Sequence, residues 1–195
     1  IVGYTPGGFF PEELALACGA IPVGLIRGGD HEMVELSARY ICRWIDTFCR
    51  AQIGYGISGR DPYYNIIDLL VVPMTDNHVR ALMDVLDYNT GIDIFPFGVP
   101  HTKDELAINY YQHGIVKLKN KLEDFTQTKI TEPGLLEAIN LCNRERELFR
   151  EISLMRKSRS VPISSQDFVA LNHGSFLADK RVMVEILESL VSEIK

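Results

Sequence analysis

Four short stretches are apolar at consecutive positions rather than alternate ones: residues 1–4, 21–26, 68–73 and 92–96. Unbroken apolar runs of that length mark strands covered on both faces, as in a parallel sheet layered between helices. Between them the period lengthens. Residues 11–18 are rich in Ala and Leu, with Pro11, Glu12 and Glu13 in the first turn and Gly19 as a stop. Residues 33–49 place Val34, Ala38, Ile41, Ile45 and Phe48 three and four apart, which predicts one helix ending at Cys49. Another helix is expected over 79–86.

Beyond Pro100 the pattern is helical only. Residues 102–125 predict a long amphipathic helix, with Thr102 as N-cap and Glu105 closing a capping box. Thr131 opens a second, with Pro133 in its first turn, ending near Arg156 and Lys157. Ser164 or Ser165 caps a third over 167–171, broken at His173-Gly174, and Asp179 starts a fourth. The expectation is an α/β fold: a small parallel Rossmann/flavodoxin-like sheet flanked by helices over residues 1–100, then an all-helical arm over 101–195. A sheet with no later strand, a strand pattern already open at Ile1 and a last helix without a Gly or Pro stop suggest one part of a larger enzyme.

Composition narrows the function classes. The 195 residues are 46% hydrophobic and 24% charged, ordinary globular values, with a formal net charge of −6. The one basic cluster, Arg156, Lys157 and Arg159, suits a helix end better than a nucleic-acid face. No apolar run approaches the ~20 residues of a membrane span. The four cysteines are scattered and form no CxxC pair, which points to a reduced, cytoplasmic setting and away from a closed zinc site.

Three places offer chemistry. Cys49 has Arg50 beside it and a Gly-rich stretch after it, compatible with a thiolate nucleophile or metal ligand and equally with a half-buried structural thiol. Thr75, Asp76 and His78 follow a buried strand, where ligands gather in open α/β sheets; Thr75 or Asp76 also suits the cap of the next helix. Gly7 and Gly8 lead into a helix start at Glu13, a weak candidate for binding an anionic part of a substrate. Asp93 is flanked by strand residues, a position compatible with burial, and nothing in the sequence marks a partner for it.

Several segments in order resemble the 2-hydroxyacyl-CoA dehydratase and benzoyl-CoA reductase family, in particular its 2-hydroxyglutaryl-CoA dehydratase D-component. Pro11-Glu12-Glu13-Leu14 with Cys18-Gly19-Ala20-Ile21-Pro22-Val23 is similar to the family's opening motif. Phe48-Cys49-Arg50 stands where the family has its first cluster cysteine, and the strand through Asp68 to Asp76 resembles the one leading to a Thr-Cys-Asp turn. Residues 100–111, 130–140 and 161–165 resemble the helical arm and its connector.

The resemblance implies an acyl-CoA substrate and a 4Fe-4S cluster held by three cysteines. It also implies one-electron ketyl-radical chemistry, an ATP-dependent iron–sulfur activator, and a homologous subunit as homo- or heterodimer partner. Cys49 is the one cluster ligand that transfers. Thr75 occupies the second-cysteine position with Asp76 after it, and the third ligand is expected from a second α/β domain that these residues do not contain. Cys42, two helical turns before Cys49 on the expected helix, is a weak substitute. Two other readings stand beside this one: a cluster-less paralogue acting as scaffold or partner subunit, and an unrelated CoA- or nucleotide-binding α/β module.

Overall fold

The computed structural model describes residues 1–5 and 9–195. Four parallel strands, β1 (Val2–Tyr4), β2 (Pro22–Gly24), β3 (Leu69–Met74) and β4 (Asp93–Gly98), form one sheet in the order β2-β1-β3-β4. The eight described helices are α1 (Glu12–Ala17), α2 (His31–Ser37), α3 (Thr47–Ser58), α4 (Asn77–Asn89), α5 (Glu105–Thr126), α6 (Glu132–Met155), α7 (Ser165–Leu177) and α8 (Lys180–Ile194). The α/β sheet followed by helices matches the expectation from the apolar runs. Among the described residues no helix is long and apolar enough to cross a membrane.

Alternation along the strands sorts their side chains to two faces. Val2, Tyr4, Leu69 and Val71 point to one face and pack with Leu14 of α1 and Leu118 and Leu122 of α5. Leu70 and Val72 point to the other, against Ala51, Ile53, Leu82 and Leu86 of α3 and α4. The central strands are buried on both sides, which explains their unbroken apolar sequence. β4 is different. It is an edge strand, and Asp93 and Pro96 are exposed. Asp93, for which the sequence marked no partner, is paired with Lys121 of α5 at the surface. Pro96, which has no N–H to offer a further strand, suits an edge position.

Three helix boundaries differ from the sequence pattern. The expected helix over 33–49 is two helices joined by a turn. Asp30 caps α2 by accepting from Glu32 N, and Asp46 restarts the chain by accepting from Phe48 N and Cys49 N. The side chain of Arg50 in α3 donates to the Val34 carbonyl and to Ser37 Oγ, so it satisfies the end of α2 from its neighbour. The apolar period survived the break because Val34, Ile41, Ile45 and Phe48 all reach the same core from different elements. Second, α5 is capped by Asp104, which accepts from Ala107 N at 2.8 Å, not by Thr102. Glu105 is therefore its first residue and closes no capping box. Third, α7 runs through His173-Gly174 to Leu177. One internal Gly costs only about 1 kcal/mol, and the following turn places Phe176 against β2, where a Cβ on Gly24 would lie 2.8 Å from its ring. Thr131, Ser164 and Asp179 cap α6, α7 and α8 as expected.

The end of α5 is held by Glu123, which accepts 2.8 Å hydrogen bonds from Lys119 Nζ, Lys129 Nζ and Ile130 N. The lysine bonds, with the Ile130 amide, hold its carboxyl down at about 2, against the ordinary 4.5. A carboxylate held low contributes stability that is fully present above its unfolded value and lost as pH falls through the folded one. Thermal melts from pH 5 to pH 2 should show that loss, and Glu123→Gln should flatten this part of the profile.

Candidate functional site

The order β2-β1-β3-β4 leaves neighbouring strands β1 and β3 whose chains depart to opposite faces: β1 continues to α1, β3 to α4. A crevice opens at the carboxyl ends of such a pair. Here it is a cavity of about 460 Å³ lined by Thr5, Asp46, Phe48, Cys49, Thr75, Asp76 and His78, among others. Cys49 and Thr75, both singled out from the sequence, share this cavity with Asp76 although β3 separates them in the chain.

Local hydrogen bonding fixes each side chain. Asp46 Oδ1 accepts from Phe48 N at 2.8 Å and Cys49 N at 3.2 Å, so Cys49 lies in the first turn of α3 rather than at a helix end. The glycines after it, Gly54 and Gly56, are inside the helix. Asp76 Oδ1 accepts from His78 N at 2.7 Å and Val79 N at 3.0 Å and caps α4; its other oxygen accepts from the Thr75 hydroxyl at 3.1 Å. The two turns are joined by the Asp46 N–H, which donates to His78 Nδ1 at 2.9 Å. That acceptance places the proton of the neutral ring on Nε2.

The electrostatics are those of a carboxylate-flanked pocket. Cys49 is buried, and its thiol is pushed up to about 12, first by burial and then by Asp46 and Asp76. Asp76 is held below its usual value, first by the Val79 N–H and also by the Thr75 hydroxyl and the His78 N–H. At neutral pH the site therefore presents a protonated thiol beside the ionised carboxylate of Asp76.

The donor set does not fit a 4Fe-4S cluster. Such clusters are held by cysteine thiolates, and of the cavity residues only Cys49 carries a thiol. Thr75 offers a neutral hydroxyl, the two aspartates are spent on helix caps, and His78 Nδ1 already accepts a hydrogen bond. Among the described residues no group of three or more His, Cys, Asp or Glu side chains is arranged to hold a metal ion. Cys42 is exposed in the connection between α2 and α3, so the helical spacing that made it a substitute is absent.

Other candidates fall elsewhere. Gly7 and Gly8 lie outside the described residues. Glu13 is in α1 and pairs at 2.6 Å with Arg146 of α6, away from the cavity lining. Sequence reasoning missed Asp46, whose spacing from Cys49 in Asp46-Thr47-Phe48-Cys49 is that of an N-cap and its third residue. It also missed a buried charge cluster between the sheet and the last helices. Lys180 Nζ lies 2.8 Å from Glu145 Oε2 and 3.1 Å from Glu12 Oε2, and the Tyr4 hydroxyl donates to Glu12. No local spacing could have revealed residues brought together from β1, α1, α6 and α8.

Comparison with known proteins places these features in context. A family model described as 2-hydroxyglutaryl-CoA dehydratase, D-component, matches residues 8–195. Curated relatives include the putative dehydratase subunit YjiM of Escherichia coli, 22% identical over 96% of this chain and 49% of that protein. A benzoyl-CoA reductase subunit of Thauera aromatica is 28% identical over 88% of this chain and 44% of that protein. The (R)-phenyllactyl-CoA dehydratase beta subunit of Clostridium sporogenes is 21% identical over 96% and 49%. The chain thus spans about half the length of the curated relatives it matches.

Proposed function

Since the chain belongs to the 2-hydroxyglutaryl-CoA dehydratase D-component family, we propose that it forms part of a subunit of an acyl-CoA enzyme of the 2-hydroxyacyl-CoA dehydratase or benzoyl-CoA reductase type. The observation that carries this reading is the meeting of Cys49 with Thr75 and Asp76 in one cavity at the switch point of the sheet. These are the positions at which the sequence resembles the family's cluster turns. Two of the relatives are named as subunits of enzymes of benzoyl-CoA and (R)-phenyllactyl-CoA and the third as a putative dehydratase subunit, which supports a partner subunit and a thioester substrate here. An ATP-dependent iron–sulfur activator is the electron source that the same resemblance implies.

The cavity suits one end of such a substrate. Both helix N-termini that face it are capped by aspartate, so the N–H groups of Phe48, Cys49, His78 and Val79 are already satisfied and the cap carboxylates oppose anions. Coenzyme A phosphates are excluded on that ground, whereas an uncharged acyl thioester is not. Phe48, Val79 and Leu82 supply apolar wall for the acyl chain, and Cys49 S–H is a weak neutral donor.

The test is calorimetric titration of the full-length protein with 2-hydroxyacyl-CoA, 2-enoyl-CoA and benzoyl-CoA, with free CoA as the control. A thioester should bind more tightly than free CoA. Thr75→Trp, which fills the cavity, should weaken thioester binding by roughly tenfold or more, about 1.4 kcal/mol. Equal affinity for CoA and every thioester, unaffected by Thr75→Trp, would remove this reading.

A further inference from the structure

We infer that the cavity between β1 and β3 operates without an iron–sulfur cluster, as a closed-capped pocket for the uncharged acyl end of a thioester. The inference rests on the reading of the chain as an acyl-CoA enzyme subunit, and departs from it in removing the cluster from this position.

Three independent observations carry it. The first is donor chemistry. A cluster seated here would draw one thiolate from this chain, that of Cys49, whatever the rest of the subunit supplied; Thr75 stands at the place of a second, and a neutral hydroxyl is a poor ligand for iron.

The second is charge. Thiolate-ligated clusters carry net negative charge, and this cavity is already walled by Asp46 and Asp76. Two carboxylates within a small, partly dehydrated space oppose a further anion. The described lining holds no Lys or Arg to offset them, and His78 uses its Nδ1 to accept from the Asp46 amide.

The third is geometry. The amide N–H groups of Phe48, Cys49, His78 and Val79, which would otherwise be free to bond cluster sulfur at the two helix starts, all donate to the aspartate caps. Hydrogen bonds to sulfur are one of the means by which a protein sets a cluster's potential, and these four are spent. The Asp46 amide is held as well, by His78 Nδ1. The cavity is thus built as a self-satisfied polar collar around an apolar interior, which suits a neutral guest.

The experiment measures iron and acid-labile sulfide in full-length protein purified anaerobically, treated with ferrous iron and sulfide and desalted, for the native form, Cys49→Ser and Thr75→Trp. Melting curves confirm that each is folded. The expected result is the same iron content in all three. Zero iron in each, or a cluster retained equally by all and therefore bound elsewhere in the subunit, both agree with a cluster-free cavity. About four iron and four sulfide per chain in the native protein, lost in either variant, would overturn it. Thioester titration of the same samples separates the two claims: a cluster at Cys49 with thioester binding intact defeats this inference alone, and no thioester preference with no iron defeats the functional reading and the acyl pocket with it, while the cavity stays cluster-free.

Discussion

Replacing Lys180 with methionine is expected to cost about 3–5 kcal/mol of folding stability, the range for breaking a buried ion pair by removing one partner. Lys180 is 4% exposed, and its ammonium is the common cation of Glu145 and Glu12, with a further 3.2 Å bond to the Ser175 carbonyl. Burial alone would lower its pKa, but the carboxylates of Glu12 and Glu145 outweigh that and raise it. Glu145 is itself pushed up, first by burial, and its Oε1 is buried without a partner. Methionine keeps the bulk and removes the charge, leaving two carboxylates facing each other in a seam between α1, α6 and α8. Urea unfolding followed by circular dichroism measures the loss. The double variant Lys180→Met with Glu145→Met should recover much of it, because an apolar pair in place of a buried ion pair is often neutral or stabilising. A cost below about 1 kcal/mol for the single variant, the size of an exposed pair, would show that the cluster is solvated rather than buried.

Gly54→Ala is expected to cost about 3 kcal/mol, at the upper end of what overpacking usually costs. A Cβ at this position would lie 2.2 Å from the Met33 carbonyl oxygen and 2.8 Å from its Cα. The obstacle is backbone of α2, which cannot rotate aside as a side chain can. The two helices must separate, and Arg50 then loses its bonds to Val34 and Ser37. Because α3 also carries Cys49, the same displacement should open the cavity wall. Alkylation of Cys49 by a small haloacetamide, slow in the native protein where it is 3% exposed, should accelerate. A melt and an alkylation rate both equal to native would refute the close packing of α2 on α3.

How much of this was legible in the sequence depends on the range of the interaction. The sheet was legible because β3 is buried on both faces and so has no polar alternation to disguise it. The caps at Thr131, Ser164 and Asp179 were legible because a cap is a local bond, three residues long. The break after Ser37 was not. The side chains on either side of it serve one core, so the period continued although the helix did not, and the group that ends α2 comes from Arg50 on another helix. β4 was misjudged for a related reason: an edge strand can carry the same residues as a central one, and only its neighbours decide its exposure. At the candidate site, Cys49, Thr75 and Asp76 were recognisable one by one. That Asp46 and His78 bind the two turns to each other required α3 and α4 to pack side by side on one face of the sheet.

Strand order also governs the sequence of events during synthesis. Of the four described strands β1 is made before the others yet lies inside the sheet, bonded to β2 on one side and β3 on the other. Its pairing with β2 becomes available early, after one short helix. Its pairing with β3 must wait until α2 and α3 have been made, and the loop thereby closed is long. A nascent chain halted before Leu69 should therefore display an open edge of β1 and bind edge-seeking chaperones or aggregate. One that extends past Met74 should not. These residues should refold more slowly than a helical bundle of equal length, since the pairing at the centre of the sheet joins Val2 to the distant Leu69.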